Sequence, residues 1–262
     1  MGASAKPLSS QKAQSTNLFD RAVQTVFLIA LLALWYGVSA GGLVSKLLLP
    51  SPTAVAQELA NLVQKLDFWH DVWITLTSIL QAYALAVIGG LIVGSLIGQS
   101  KFAYDVFQPL FAGAFAVPLI IIYPLILFLA GIGPLSKIVF AAIYGFLPVA
   151  LAAMSAFANV PLKWRRYAST LTNNKRLITQ RVLIPAAIPE LMSGLRISYV
   201  VTFASVIAGE MIAAFAGLGR IISYNAEVLE PARMYAAIVV VIVFAALVNW
   251  LMARLQPREV KP

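Results

Sequence analysis

The sequence contains no cysteine and only one histidine, His70. The first absence excludes disulfides, thiol nucleophiles and thiolate metal sites, and the second leaves a lone imidazole without companions for a metal centre. Charge is scarce too: 11% of the 262 residues are Asp, Glu, Lys or Arg, against about a quarter in soluble domains. No G-x-x-x-x-G-K-[ST] phosphate loop occurs and no glycine is followed by lysine, so any nucleotide hydrolysis linked to this chain belongs to another one.

What is present is apolar. Hydrophobic residues make up 61% of the chain and the mean hydropathy is +0.87. In lipid every backbone polar group must be satisfied internally, which restricts spanning structures to helices and closed barrels. The apolar runs are roughly 20 residues long and lack the period-two alternation of barrel strands. The fold class is therefore all-α, a polytopic membrane protein. Spans are expected near 21–40, 72–97, 106–130, 138–158, 187–213 and 234–253, six in all, with both termini on one side. Residues 1–17 read as a disordered tail, 18–256 as the transmembrane domain and 257–262 as a second tail. The first span also fits a secretory signal, with Lys12 and Arg21 before it and Val38-Ser39-Ala40 after it; its length favours an uncleaved helix.

Between the spans the punctuation is informative. Pro50 and Pro52 stop any continuing helix, and Thr53 can cap a new one over 54–66. There Val55, Leu59, Leu62, Val63 and Leu66 fall on one face, as in a helix lying on the membrane surface or packed on its own bundle. His70 reads as a hydrated interfacial side chain. Gly90, Gly94 and Gly98 clear one stripe of the second span for another helix. Pro109, Pro118 and Pro124 interrupt the third, where the freed carbonyls need protein or a water-filled path. Pro118, Tyr123, Pro124, Ser205 and Glu210 are the candidate path or gate residues.

The basic residues sort by side. Lys6, Lys12, Arg21, Lys101, Lys163, Arg165, Arg166, Lys175, Arg176, Arg181, Arg196, Arg254, Arg258 and Lys261 fall with the termini. Lys46, Lys65, Lys137, Arg220 and Arg233 fall opposite, which is fourteen against five of the 19 Lys and Arg. The excess orients the termini to the cytoplasm and accounts for the net charge of +9 without nucleic acid. The densest block lies in the insert 161–185. Pro161 suits a first helical turn and Asn173-Asn174 supplies a break, so two short helices closed by Pro185 and Pro189 are expected, either as a rigid knob or as a loop on anionic headgroups.

The insert resembles the EAA motif of the permease subunits of bacterial ABC importers: Glu-Ala-Ala, three residues, Gly, nine residues, Ile-x-Leu-Pro. Here the pattern falls on Arg166-Tyr167-Ala168, Thr172 and Val182-Leu183-Ile184-Pro185. LLLPSPTAV, TLTSILQAYALAVIGGLIVGSLIG, LAGIGPLSKIVFAAIYGFLPV, IPAAIPELMSGLRIS and VIAGEMIAAFAGLG look like the nitrate/sulfonate/taurine branch of that family. Thr172 replaces the usual Gly and Arg166 the usual Glu. A β-branched Thr does not comfortably take a positive φ, so the insert must turn without one there or fit its partner differently.

The resemblance implies a type I importer permease fold in a bacterial inner membrane. It also implies a second permease copy or a sister permease, a periplasmic or lipid-anchored binding protein, and a cytoplasmic ABC ATPase that uses ATP and Mg. The coupling residues would be Arg165, Arg166, Tyr167, Ala168, Leu171, Thr172, Asn173, Asn174 and Pro185. No cofactor and no bond chemistry are expected in this chain, and the cargo would be a small anion such as nitrate, bicarbonate, taurine or another sulfonate. Glu210, the carboxylate set in an apolar helix, is expected near the outer interface, holding the turn at 217–219 as a gate or structural tie. Arg196 is expected to snorkel to the cytoplasmic side. An ion- or proton-coupled carrier would instead require intramembrane ionisable pairs or broken-helix repeats.

Overall fold

The structure is a computed structural model that describes residues 8–42, 44–172 and 174–255. Among these residues it is helical throughout, without strands. Five helices are long and apolar enough to cross a membrane, and a bent pair makes up to six. Helix α1 covers Leu8–Ala40, α2 Pro52–Val63, α3 Leu66–Gly98, α4 Lys101–Ala116, α5 Tyr123–Ala130 and α6 Pro134–Ala158. Then come α7 at Leu162–Leu171, α8 at Lys175–Ile178, α9 at Ile184–Ala213, α10 at Leu218–Glu227 and α11 at Pro231–Leu255.

Helices α3, α6 and α9 form the centre, and small residues let them close. A Cβ on Gly98 would stand 2.5 Å from the Met154 carbonyl oxygen, and one on Gly90 would stand 2.6 Å from the Val149 Cβ. The glycine stripe read in the second span is thus the seam against α6. Helices α3 and α6 run parallel and α9 runs antiparallel to both, which places the start of α3, the start of α6 and the end of α9 together. Helices α2 and α10 sit at this end, here termed the α10 end, and α7 lies at the other. Helix α1 joins mainly through its last turns, where Trp35 Nε1 donates to the Pro50 carbonyl at 3.0 Å and the Trp35 and Tyr235 rings lie 6.2 Å apart. Its flank from Val23 to Leu34 stays open, as lipid permits.

Several boundaries differ from the sequence reading. Helix α1 begins at Leu8, inside the tail read over 1–17, because no proline or glycine interrupts the chain between Pro7 and Gly37. Residues 1–7 and 256–262, which include all of the second tail, lie outside the described residues. Ser51, not Thr53, caps α2: its hydroxyl accepts from Ala54 N at 3.2 Å, and Pro52 occupies the first turn, where its missing N–H costs nothing. Val55 and Leu62 are buried, so α2 packs on the bundle. The third span is not one curved helix: α4 and α5 meet at 74°, around Pro118 and a 3-10 turn at Leu119–Ile122.

The insert also differs. Its first helix is α7, but its second half is not a separate closed helix. From Lys175 the chain runs through α8 and a π turn at Thr179–Leu183 directly into α9. Pro185 lies in the first turn of α9 and Pro189 within it. The π turn explains the tolerance of Pro185: Ile184 N–H reaches the Thr179 carbonyl five residues back, which re-registers the ladder where Pro185 can donate nothing.

Candidate functional site

Two regions hold the predicted site residues, one at each end of the bundle. At the α7 end, Ala168 is buried at 7% exposure while Tyr167 is 72% and Trp164 49% exposed. Arg166 is exposed. The helix therefore rests on the bundle through its small residue and turns aromatic and cationic side chains outward. Thr172 has φ −159° and ψ 143°, extended backbone that suits a β-branched residue, and its Oγ1 accepts from Asn174 N at 3.2 Å. The turn thus forms without a positive φ at this position. Arg165 and Leu171 belong to α7, Asn174 and Pro185 are exposed, and Asn173 lies outside the described residues.

At the α10 end, Glu210 is fully buried in the last turn of α9. Its Oε1 meets Lys137 Nζ at 2.6 Å. Oε2 accepts from Thr75 Oγ1 at 2.8 Å and from Gly219 N at 3.0 Å. Thr75 Oγ1 accepts in turn from Leu218 N at 2.9 Å, and Asp71 Oδ1 from Gly217 N at 2.7 Å. One carboxylate thus ties α3, α6, α9 and the turn that starts α10. The turn leaves no room for alternatives: Gly217 has φ +117°, and a Cβ there would come within 2.5 Å of both Glu210 oxygens. A buried charge is tolerated only when paired and hydrogen-bonded, and both conditions hold here.

The other path candidates divide. Tyr123 is fully buried, its hydroxyl donating to the Gly209 carbonyl at 3.2 Å, one residue from Glu210. Ser205 is buried on α9 at 4% exposure. Pro118 and Pro124 are exposed at the α4–α5 bend and do not join this cluster. Arg196 does not snorkel free: its Nε donates to Asn249 Oδ1 of α11 at 3.0 Å. The sequence reading missed Lys137, Thr75 and Asp71. Lys137 stands just before the span expected at 138–158, yet it lies in the first turn of α6 with 3% of its side chain exposed.

Residues 86–261 match the family described as binding-protein-dependent transport system inner membrane component. The taurine transport system permease protein of Escherichia coli is 31% identical over 88% of this chain and 86% of its own length. The nitrate import permease protein of Synechocystis is 25% identical over 79% and 77%. In three dimensions the chain is similar to one from the inward-facing MetNI methionine ABC transporter, with a TM-score of 0.63 at 19% identity, covering 74% of this chain and 95% of that one. At that identity the likeness speaks for the fold.

Proposed function

The chain belongs to the family of binding-protein-dependent transport system inner membrane components, and from that membership we propose how its two ends share the work of import. It is a transmembrane permease subunit of an ATP-driven importer, working with an ATPase and a substrate-binding protein. The α7 end faces the cytoplasm together with both termini, as the fourteen-to-five distribution of basic residues supports. There Arg166, Tyr167 and their neighbours dock on the ATPase, the chain that uses ATP and Mg. The α10 end receives cargo from the binding protein, and a second copy or a sister permease completes the path. The cargo is a small solute bearing an anionic group of the sulfonate or nitrate kind, a reading supported by what the taurine and nitrate relatives carry. The Glu210 cluster serves as the outer gate.

The observation that carries this reading is the outward face of α7, an aromatic and cationic surface that the described residues leave exposed. Reconstitution with the candidate ATPase in liposomes tests it. Tyr167→Ala and Arg166→Glu should weaken ATPase docking about tenfold or more, as loss of a central contact does, and abolish uptake. Their melting temperatures should stay unchanged, since exposed sites move stability by only about 0.5 kcal/mol. Undiminished docking and uptake would sink the coupling role.

An ion-coupled carrier would require an ionisable pair in the membrane, and Lys137 with Glu210 is one. The pair is closed to solvent, however, at 3% and 0% side-chain exposure, and both charges are neutralised by each other and by fixed donors. It has the character of a tie and not of a proton relay.

A further inference from the structure

The α10 end contains three neighbouring cavities, and Arg233 lines all of them. One of them, of about 450 Å³, lies between α2, the start of α3 and α10. Lys65, Arg220 and Arg233 bring positive charge to its wall and Asp67 and Asp71 negative charge. The basic groups are weakly engaged: Arg220 meets Glu227 at 3.6 Å and Arg233 meets Glu230 at 3.9 Å, both glutamates being more than half exposed. Such contacts leave the guanidinium groups available.

Two polar atoms of opposite character are orphaned beside this cavity. Asn225, at 3% exposure, donates through Nδ2 to the Ile221 carbonyl at 2.6 Å, and that acceptor fixes the amide orientation. Oδ1 is therefore the atom left over, a buried acceptor without a partner. Arg233 Nε is a buried donor without one. Buried polar groups are nearly always satisfied, so two exceptions in one wall require an explanation. Single waters would satisfy each atom, but a water occupies only ~30 Å³, and charges of both signs surround a volume many times larger.

We propose that this cavity binds a small zwitterion, its sulfonate or carboxylate held by Arg233 with Lys65 and Arg220, and its ammonium by Asn225 Oδ1 and the flanking aspartates. A free amino sulfonate or amino acid has this chemistry, and so does an ethanolamine phosphate headgroup. The turn at Gly217 borders the cavity through Ala216 and Arg220, so an occupant lies against the segment that Glu210 holds. That the occupant is cargo awaiting import rests on the permease reading; the binding itself does not.

The test is equilibrium binding of labelled taurine and β-alanine to the purified chain, without ATPase, in phosphatidylglycerol nanodiscs. Saturable binding is expected, with ethanesulfonate and ethylamine competing about tenfold more weakly or worse, because each lacks one charge. Asn225→Leu and Arg233→Gln should each weaken binding by a similar factor without shifting the melting temperature. Adding phosphatidylethanolamine separates the sources: competition identifies a lipid headgroup, and its absence a free solute, either outcome upholding a zwitterion site. Absence of saturable binding by both probes overturns the proposal, as does ethanesulfonate binding as tightly as taurine. The competitor series uses the unaltered chain and so decides the matter even where a variant fails to fold. Probe binding without ATP-driven uptake of any zwitterion would refute the cargo role while leaving the site intact.

Discussion

Removing one partner of the Lys137–Glu210 pair should cost far more than removing both. At 2.6 Å the Coulomb attraction is about 6 kcal/mol at an effective dielectric of about 20. Desolvation of the two ions offsets much of it, so the intact pair contributes little net stability. Glu210→Gln breaks this balance in a definite way. The amide can present its oxygen either to Lys137 or to the Thr75 and Gly219 donors, but its NH₂ then faces a donor on the other side. Lys137→Met leaves a carboxylate with two neutral donors and no countercharge. Each single change should therefore destabilise by about 3–5 kcal/mol, the range for stranding one buried ion. The double change Lys137→Met with Glu210→Gln removes both charges, and its cost should fall below the sum of the singles by 2 kcal/mol or more. Melting of the purified chain in detergent, with uptake measured alongside, closes the cycle. Single variants costing under about 1 kcal/mol, or strict additivity, would refute the view of Glu210 as the central tie.

Four further variants follow from the structure. Gly217→Ala combines a positive φ with a collision against Glu210 and should destabilise by more than about 1 kcal/mol. Gly37→Ala in α1, where a Cβ meets nothing within 4 Å, should stabilise by roughly 0.5–1 kcal/mol on helix propensity; equal melting shifts would show that packing and φ do not matter here. Thr172→Gly removes a hydroxyl that accepts from Asn174 N and frees the backbone, so it should cost about 1 kcal/mol and lower coupled uptake. Improved uptake would show that Thr172 is strained after all. Replacing exposed Ile197 and Val200 in α9 by glycine softens the helix by about 1 kcal/mol per site. ATPase docking should survive while uptake per ATP falls, and unchanged stoichiometry would exclude α9 as the transmitting rod.

The family and the all-helical fold were legible because both rest on long-range regularities: apolar runs of spanning length, the excess of basic residues on one side, and motif spacing. The glycine stripe was legible for the same reason, since a four-residue interval survives whatever it packs against. The charged pair was not, although its signal was present. Lys137 stands one turn inside the start of a span and Glu210 one turn before the end of an antiparallel one, so equal depth alone would have matched them. Pro185 and Pro189 misled because proline normally ends a helix, and nothing local announces a π turn that absorbs one. The zwitterion cavity is assembled from α2, α3, α10 and α11, segments whose charges look like solvated loop residues until the fold gathers them.

With α7 as the proposed ATPase contact, communication between the two ends follows from continuity along a single helix. The segment Thr179–Ala213 is 35 residues long, about 50 Å at 1.5 Å per residue. Its first turns carry α7 packed against the π turn, and its last turn carries Glu210. Between them Gly194 admits Ala152 of α6 so closely that a Cβ would collide, which makes independent sliding of α9 and α6 costly. A push on α7 therefore reaches the α10 end as a tilt of the α6–α9 pair and not as a local bend. There the tilt meets a cluster whose geometry is all or none: a carboxylate with three partners on three other segments cannot shift by an ångström and keep its charge compensated. A stiff rod ending on a brittle tie gives two discrete states, which is what coupling ATP hydrolysis to one passage of cargo requires.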